Sequence, residues 1–223
     1  MVGAAVAACI PGGSAPPAAS APASDRPEPG PTATPGPSPA ATPTAGATQP
    51  NVAALRRKIG RMLVVGFRGT APDPTEPFMG ALAAGELGGV ILFDRDQLTK
   101  TAGRNIVAPD QLGRLTGTLR STALRSAIGP HLLIAVDQEG GRVARLNPGN
   151  GYPATPSAAE LGAANDLERT RNASVLTAIT LAGAGIDFNL APVVDLNVNP
   201  SNPAIGALDR SFSADPAAVV AQA

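Results

Sequence analysis

The chain has 223 residues, and its 17 basic and 17 acidic side chains give a net charge of zero. This balance provides no electrostatic basis for binding nucleic acid or an acidic membrane surface. The single cysteine, Cys9, excludes an internal disulfide framework, and the single histidine, His131, argues against a histidine-rich metal site and leaves one imidazole for any Ser-His or Cys-His scheme.

Residues 1–50 differ in composition from the rest of the chain. The stretch 10–50 consists almost entirely of Pro, Ala, Gly, Ser and Thr, and its one large aliphatic residue is Ile10. Such a segment cannot bury enough apolar surface to offset its loss of chain entropy, and its prolines favour extended conformers. We therefore predict a disordered tether over residues 10–50.

The segment Val6-Ala7-Ala8-Cys9 resembles a bacterial lipobox, in which small residues precede a cysteine that becomes lipidated. A lipid anchor followed by a tether holds a soluble domain away from a membrane. No Lys or Arg precedes the short apolar stretch, so we interpret residues 1–9 as the remnant of a lipoprotein signal peptide. The expected location is extracytoplasmic, with the protein anchored through Cys9 or secreted.

From residue 51 onwards, short apolar runs alternate with amphipathic segments. Asn51 is expected to cap a helix whose apolar positions recur every three or four residues, namely Val52, Leu55, Ile59 and Met62. Further helices are predicted within residues 74–87, ended by Gly88-Gly89, and over residues 109–124, whose buried face holds Leu112, Leu115, Leu119 and Ala123.

The second half of the chain continues the pattern. A helix is expected from residue 156 and a longer one over residues 166–185, with an apolar stripe of Val175, Leu176, Ile179 and Ala182. Asp215 is expected to cap the last helix. Buried strands are predicted over residues 62–67, 89–93 and 131–136, and a fourth within residues 186–196.

Four strands that alternate with helices indicate an α/β fold with a parallel sheet. The first strand leads into GFRGTAPD, so neither a GxGxxG nor a GxxxxGK[ST] nucleotide-binding loop follows it. Periodicity alone does not distinguish an open doubly wound sheet from a β/α barrel.

Charged side chains gather where the third and fourth strands are predicted to end. Asp137 and Glu139 follow the third strand, Asp195 ends the fourth, and three arginines lie in the loops after them: Arg142, Arg145 and Arg210. In α/β proteins the carboxyl ends of parallel strands form the ligand-binding rim. Carboxylates accept hydrogen bonds from vicinal hydroxyls and guanidinium groups donate them, so this set suits a polyhydroxylated ligand.

Some of these residues have structural roles to weigh. If the backbone is extended, Asp137 and Glu139 point to opposite sides, and Glu139 is expected to pair with Arg142 or Arg145. Asp195 is expected to bind backbone N–H groups at its strand end. His131 precedes its strand, on the opposite rim, and is interpreted as structural or solvated. With arginines this close, no metal site is expected.

Two motifs then resemble a known family. DQEGGRVARL (residues 137–146) resembles the signature of family 3 glycoside hydrolases, in their β-N-acetylhexosaminidase branch. Residues 185–223 resemble that family's segment with an APV-D strand, an IG, an RSF and a DP helix start, in the same order. The resemblance covers residues 51–223 and implies the first half, about four β/α units, of a (β/α)8 TIM-type barrel.

The resemblance also implies roles for single residues. Substrate contacts carry over to Asp137, Arg145 and Arg210, and Glu139 and Asp195 match positions that support the strand ends. The family's retaining mechanism uses an aspartate nucleophile and a histidine acid/base, and both belong to segments that follow the matched region. We therefore expect no catalytic residue in this chain, no cofactor and no metal.

These expectations describe part of an enzyme. The chain is expected to be C-terminally truncated, to expose a sheet edge, to be unstable or prone to aggregation, and to release no nitrophenol from a nitrophenyl β-N-acetylglucosaminide. The leading hypothesis for the whole protein is an exo-β-N-acetylglucosaminidase that acts on cell-wall or chitin-type sugars. The alternatives are a β-glucosidase of the same family and a non-catalytic, surface-anchored sugar-binding protein.

Overall fold

The computed structural model describes residues 51–223. The predicted tether over residues 10–50 and the proposed lipidation site Cys9 lie outside them. The helices are α1 (Val52–Gly60), α2 (Pro77–Ala83), α3 (Pro109–Leu124), α4 (Ala158–Ala164), α5 (Leu167–Gly183) and α6 (Pro216–Gln222). The strands are β1 (Val64–Gly66), β2 (Gly89–Ile91), β3 (Leu133–Val136) and β4 (Phe188–Asn189).

The four strands form one parallel sheet in the order β1-β2-β3-β4. Each strand pairs with the next one along the chain, and a helix connects each pair, as in successive β/α units. This is the arrangement of consecutive strands in a β/α barrel and differs from a doubly wound sheet, in which the strand order reverses. The predicted α/β fold with barrel-type units is confirmed.

The main core lies between the outer face of the sheet and helices α2 and α3. Alternate strand residues point outwards and are fully buried, including Val90 on β2 and Ile134 on β3. They pack with the predicted stripe of α3, all of it buried: Leu112, Leu115, Leu119 and Ala123. The boundaries predicted for this helix agree with the structure because Pro109 suits its first position and the stripe keeps one period throughout.

The inner face of the sheet is apolar but partly open. By alternation it carries Val64, Ile91, Leu133 and Phe188, and the two that lie on edge strands, Val64 and Phe188, are 43% and 45% exposed. Within residues 51–223, β1 and β4 each have one free edge, so the expected exposed sheet edge is confirmed.

Two predicted apolar stripes are present on helices but are not buried. Asn51 caps α1 as expected, accepting a hydrogen bond from the Ala54 amide at 3.0 Å. The stripes lie on α1 and α5, and their large members are all about half or more exposed, namely Val52, Leu55, Ile59, Met62, Val175, Leu176 and Ile179. The helices carry the predicted stripes, but within residues 51–223 no element packs over their large residues.

The helix before β2 ends earlier than predicted. Its last residue is Ala83, and Gly85, with φ of 74°, provides the left-handed turn that follows, so the prediction that Gly88-Gly89 ends it is wrong. The amides of Gly88 and Gly89 instead donate to the Leu63 carbonyl at 3.0 and 3.1 Å. A Cβ on Gly88 would lie 1.8 Å from the Arg61 carbonyl oxygen, so this glycine permits a close backbone approach.

The fourth strand is short, which changes the position of one predicted site residue. It ends at Asn189; the Leu190 amide still donates to the Val136 carbonyl of β3 at 2.8 Å, and residues 191–195 continue without strand pairing in the described part of the chain. Asp195 therefore does not end the strand, contrary to prediction. Within residues 51–223, β4 pairs with β3 alone, so the apolar run that follows it has no strand on its other side.

The end of α5 and the start of α6 agree with prediction. Gly185, with φ of 75°, follows α5, and Asp215 caps α6 by accepting from the Ala217 amide at 3.0 Å. Among the helices of residues 51–223, none has the length and apolar character needed to cross a membrane.

Candidate functional site

The site begins where β2 and β3 end. Asp137 directly follows the buried residues of β3, and Asp94 follows Phe93 just beyond β2. Because the two strands are neighbours and parallel, both carboxylates lie on the same rim of the sheet. The sequence indicated Asp137 as a site residue and missed Asp94.

Arg145 lies between these two carboxylates. Its Nε donates to Asp137 Oδ1 at 2.8 Å, and its Nη2 donates to Asp137 Oδ2, so the guanidinium binds Asp137 in a bidentate manner. Its Nη1 faces Asp94 Oδ1 at 3.6 Å. The structure thus brings Asp137 and Arg145 together, two residues that the sequence predicted to contact the substrate.

An aromatic ring supports this arginine. The guanidinium carbon of Arg145 lies 5.7 Å from the centre of the Phe93 ring, and that of Arg104 lies 4.7 Å from it. Arg104 is anchored through its Nε, which donates to the Phe67 carbonyl at 2.9 Å. Phe93 therefore provides a cation–π contact to two arginines beside the rim.

The buried side chain of Gln138 fixes the loop that carries Arg145. Its Nε2 donates to the Leu146 carbonyl at 2.8 Å, and its Oε1 accepts from the Leu146 amide at 2.9 Å. The Gln138 backbone is in turn held by Asn189 at the end of β4, whose side chain accepts from its amide at 2.9 Å and donates to its carbonyl at 3.0 Å. This amide network positions Arg145 relative to Asp137.

The two glycines of the motif permit a close backbone approach. Gly140 and Gly141 have φ of 93° and 54°, in the left-handed region. A Cβ on Gly140 would lie 2.0 Å from the Pro156 carbonyl oxygen, and one on Gly141 would lie 2.5 Å from the Ser157 Cβ. Side chains at either position would force the turn away from the segment leading into α4.

Glu139 forms the second carboxylate–arginine pair of the site. Arg210 donates from Nε to Glu139 Oε2 at 2.7 Å and from Nη2 to Oε1 at 2.8 Å, and its Nη1 donates to the Ala204 carbonyl at 2.8 Å. The expectation that Glu139 pairs with Arg142 or Arg145 is wrong. The long loop after β4 returns Arg210 to the rim, whereas Arg142 pairs with Asp209 on the surface.

Asp195 is exposed, and its expected role as the support of a strand end is not seen. Its backbone carbonyl accepts from Ser211 Oγ at 2.6 Å, which ties the loop after β4 to the segment that carries Arg210. The negative charge of Asp195 also acts on Arg210. The support that this residue gives is therefore directed to Arg210 and its loop.

The charged side chains of the rim shift one another's pKa values. Burial raises the pKa of Asp94, while the positive charge of Arg145 opposes that shift. Burial acts to lower the pKa of Arg145, but its hydrogen bond to Asp137 and the charges of Asp137 and Asp94 outweigh burial and raise it. The Arg210 pKa is raised, first by its hydrogen bond to Glu139. Both guanidinium groups are firmly cationic.

The described residues give little support for catalysis by histidine or for a metal site. His131 lies in the turn before β3, at the opposite end of that strand from Asp137, as expected. Residues 51–223 contain no group of three or more His, Cys, Asp or Glu that could hold a metal ion. The arrangement offers fixed acceptors and donors for a polar ligand, and its two best-placed carboxylates are already engaged by arginines.

Three residues of the site escaped the sequence interpretation. Asp94 directly follows the apolar run of residues 89–93, and this position after a predicted strand is a usable signal. Gln138 lies within the motif, yet its burial and its clamp on residue 146 depend on a loop that returns to it. Asn189 was hidden in a fourth strand predicted to be longer.

Comparisons with known proteins find similar chains among glycoside hydrolases. A curated β-hexosaminidase of Alkalilimnicola ehrlichii is 38% identical over 164 residues, which are 71% of this chain and 41% of that protein. A solved glycoside hydrolase family 3 β-N-acetylglucosaminidase from Paenibacillus sp. str. FPU-7 is 33% identical, with a TM-score of 0.62 over 75% of this chain and 29% of that one.

A third similar protein was solved with a ligand. NagZ from Neisseria gonorrhoeae, in complex with N-trifluoroacetyl-D-glucosamine, is 29% identical, with a TM-score of 0.55 over 72% of this chain and 43% of that one. The present chain thus spans less than half the length of each of these relatives. Residues 54–223 match the glycosyl hydrolase family 3 N-terminal domain, so the chain belongs to that family.

Proposed function

We propose that this chain provides the sugar-holding part of an enzyme that hydrolyses O-glycosyl bonds and releases terminal β-N-acetylglucosamine. The observation that carries the proposal is the pair of carboxylate–arginine contacts, Asp137 with Arg145 and Glu139 with Arg210, gathered beyond the carboxyl end of β3 in a family 3 fold. Ligands of β/α barrels bind at that end of the strands.

The geometry explains how a sugar would be held. Asp137 uses one lone pair of each carboxylate oxygen on Arg145, which leaves others for vicinal hydroxyl groups of the ligand. Glu139 is nearly buried and keeps the Arg210 guanidinium in one orientation, so Glu139 acts as its support. In a partly dry site, each charge-assisted hydrogen bond contributes about 1.5–3 kcal/mol.

The similar proteins support the sugar class. One is a β-N-acetylglucosaminidase, and another was solved with a glucosamine derivative. Both comparisons favour an N-acetylamino sugar over glucose.

The proposal assigns binding and orientation to the described residues, and leaves the bond-breaking groups outside them. Retaining hydrolysis requires a nucleophile and an acid/base roughly 5–5.5 Å apart across the bond. Within residues 51–223, Asp137 and Glu139 are each held by an arginine and His131 lies at the far end of its strand. A turnover assay of this chain alone is therefore expected to show no release of nitrophenol from its β-N-acetylglucosaminide.

The test is a titration of the isotopically labelled chain with N-acetylglucosamine, followed by NMR. Backbone amide signals near Asp137, Arg145 and Arg210 are expected to shift in a saturable manner, and glucose should bind more weakly. The variants Asp137→Asn and Arg210→Ala should each weaken binding about tenfold or more, because each removes a charge-assisted contact.

Arg120→Ala is the matched control. Arg120 forms a similar pair with Asp187, with Nη2 donating to Oδ1 at 2.7 Å, but that pair lies at the opposite rim, just before β4. Binding should survive this substitution. Equal loss in Arg120→Ala and Arg210→Ala, or no saturable shift in the unmodified chain, would contradict the proposed site.

The cellular location is proposed from sequence alone. Residues 6–9 resemble a lipidation site, and a Pro- and Ala-rich segment follows them, so we propose a protein held outside the cytoplasm by a lipid on Cys9. Cys9→Ser should move the protein from the membrane fraction to the medium, while Ser14→Ala, in the same segment, should not. Membrane retention of the Cys9→Ser protein would count against lipidation.

A further inference from the structure

Asp94 has an unusual environment within the described residues. Its Oδ1 is buried and finds no hydrogen-bond partner there, although its side chain as a whole is 25% exposed. Buried polar atoms are nearly always hydrogen-bonded, so an exception calls for an explanation. The nearest opposite charge is Arg145 Nη1, at 3.6 Å, just outside hydrogen-bond distance.

The backbone around Asp94 is fixed, so the position of this carboxylate is set by the fold. The Asp94 carbonyl accepts from the Gly103 amide at 2.7 Å, and the neighbouring Phe93 exchanges hydrogen bonds with Asn105. Asn105 is fully buried and also donates to carbonyl groups of the loop after β1, at Phe67 and Gly69. A carboxylate on so rigid a support is well placed to orient a neighbour.

Arg145 has donors left for this carboxylate. Nε and Nη2 are used on Asp137, whereas Nη1 points to Asp94. A guanidinium is a planar fork, so an anchor on its other side fixes its rotation as well as its position. The negative charge of Asp94 also attracts Arg145, so the guanidinium depends less on Asp137 alone to balance its positive charge.

We propose that Asp94 is a positioning residue, which holds the far side of the Arg145 guanidinium so that Asp137 keeps acceptor capacity for the hydroxyl groups of the sugar. This inference rests on the proposed function for its ligand. Asp94 already attracts the guanidinium across 3.6 Å in the ligand-free chain. Sugar hydroxyl groups that donate to Asp137 compete with Arg145, and the guanidinium then moves the short distance needed to hydrogen-bond Asp94 Oδ1. The buried oxygen is the acceptor that is filled when the ligand binds.

The first measurement needs no ligand. The Nε–H signal of Arg145 in the ¹⁵N spectrum should be sharp and slow to exchange with solvent in the unmodified chain, and it should broaden or exchange faster in Asp94→Ala. Asp96→Asn is the control, because Asp96 binds Arg68 and the amides of Leu98 and Thr99 and makes no contact with Arg145. An Arg145 signal unchanged in Asp94→Ala would overturn the positioning role.

The second measurement uses N-acetylglucosamine. Asp94→Ala and Asp94→Asn should weaken binding roughly tenfold, whereas Asp96→Asn should leave the affinity unchanged even if it lowers stability. A merely structural role for Asp94 predicts the reverse, namely lower stability in urea with the affinity of the folded protein intact. That outcome would also overturn the proposal.

A double-mutant cycle shows whether Asp94 acts through Arg145. In an Arg145→Lys background the planar fork is absent, so Asp94→Ala should have little further effect on affinity. Full additivity would mean that Asp94 acts independently of Arg145, and would contradict the inference. If the unmodified chain binds no N-acetylglucosamine, the proposed function fails, while the Arg145 Nε–H measurement still decides the positioning role.

Discussion

The two faces of the parallel sheet carry side chains of the same kind, yet within residues 51–223 the outer face is covered by helices and the inner face is partly open. Val90 and Ile134 on the outer face are fully buried under α2 and α3, whereas Val64 and Phe188 on the inner face are nearly half exposed. Apolar residues on both sides of a strand therefore predict that both faces of the sheet are buried. They do not identify the elements that cover each face.

Helices α3 and α5 repeat this contrast. They have 16 and 17 residues, and each carries an apolar stripe with helical spacing. The stripe of α3 lies against the sheet, while Leu176 and Ile179 of α5 are 65% and 63% exposed. Exposed stripes of this size mark surfaces that are covered in a larger assembly or are prone to association.

The largest expected effect is at the covered face. Leu119→Ala removes a fully buried side chain from α3 and should lower the free energy of unfolding by about 2–5 kcal/mol, through lost transfer energy and a cavity. Leu176→Ala makes the same chemical change in the middle of α5, where the side chain is mostly solvated, and should cost less than about 0.5 kcal/mol. Urea denaturation of both variants measures the difference.

The same pair of variants can also break the comparison. If Leu176→Ala costs as much as Leu119→Ala, the α5 stripe is covered in solution and the contrast between α3 and α5 disappears. Sedimentation of the unmodified protein at several concentrations then shows whether self-association provides the cover, since such a cost should fall on dilution.

Sequence patterns predicted the covered part of the fold well. The stripe of α3, the cap of α1 and three of the four strands were found because each depends on local spacing or a single capping residue. The length predicted for β4 was wrong, and the stripes predicted on α1 and α5 are exposed, because strand pairing and burial depend on neighbours that residues 51–223 do not supply. Local patterns identify which residues are apolar on one face of a helix or strand. Whether that face is buried depends on the tertiary structure.

The second prediction compares a glycine in close contact with neighbouring backbone, Gly162, with a glycine that has free space around it, Gly117. A Cβ on Gly162 of α4 would lie 1.7 Å from the Phe212 carbonyl oxygen, so Gly162→Ala should destabilise the protein by about 1–3 kcal/mol. Gly117→Ala in α3 meets nothing within 4 Å and should stabilise by about 0.5–1 kcal/mol, since alanine is the better helix former. Thermal unfolding of the two variants should therefore shift in opposite directions, and a loss in both would mean that the outer surface of α3 is covered.

The rim was predicted in part, for a similar reason. Asp137, Arg145 and Arg210 meet there as the motif implied, although the partner of Glu139 comes from 71 residues further along the chain. That pairing follows from the path of the loop after β4, which no spacing within the motif records. Asp94 is close to Arg145 only because β2 and β3 are neighbours.

The smallest effect separates two carboxylates that lie two residues apart in the loop after β2, Asp94 and Asp96. Burial raises the pKa of Asp94, whereas hydrogen bonds from Arg68, Leu98 and Thr99 hold the pKa of Asp96 far below its usual value. An Asp whose pKa is lowered by folding stabilises the protein above its unfolded pKa of about 3.9, and this contribution is lost as the pH falls through the folded value. An Asp whose pKa is raised costs stability above its folded pKa, and that cost disappears as the pH falls to the unfolded value.

The two substitutions should therefore differ in sign at pH 7. Asp96→Asn should lower the stability there, and its effect should shrink only below about pH 3.9, where the unfolded carboxyl is protonated. Asp94→Asn should be neutral or slightly stabilising at pH 7, and its difference from the unmodified chain should shrink as the pH falls through the raised folded pKa of Asp94 and be gone at about pH 3.9, the unfolded pKa. Urea titrations at successive pH values measure both. A loss of stability in Asp94→Asn at neutral pH would contradict this expectation. It would show that the attraction of Arg145 outweighs the cost of burying the Asp94 carboxylate, so that Asp94, like Asp96, stabilises the protein in its charged form.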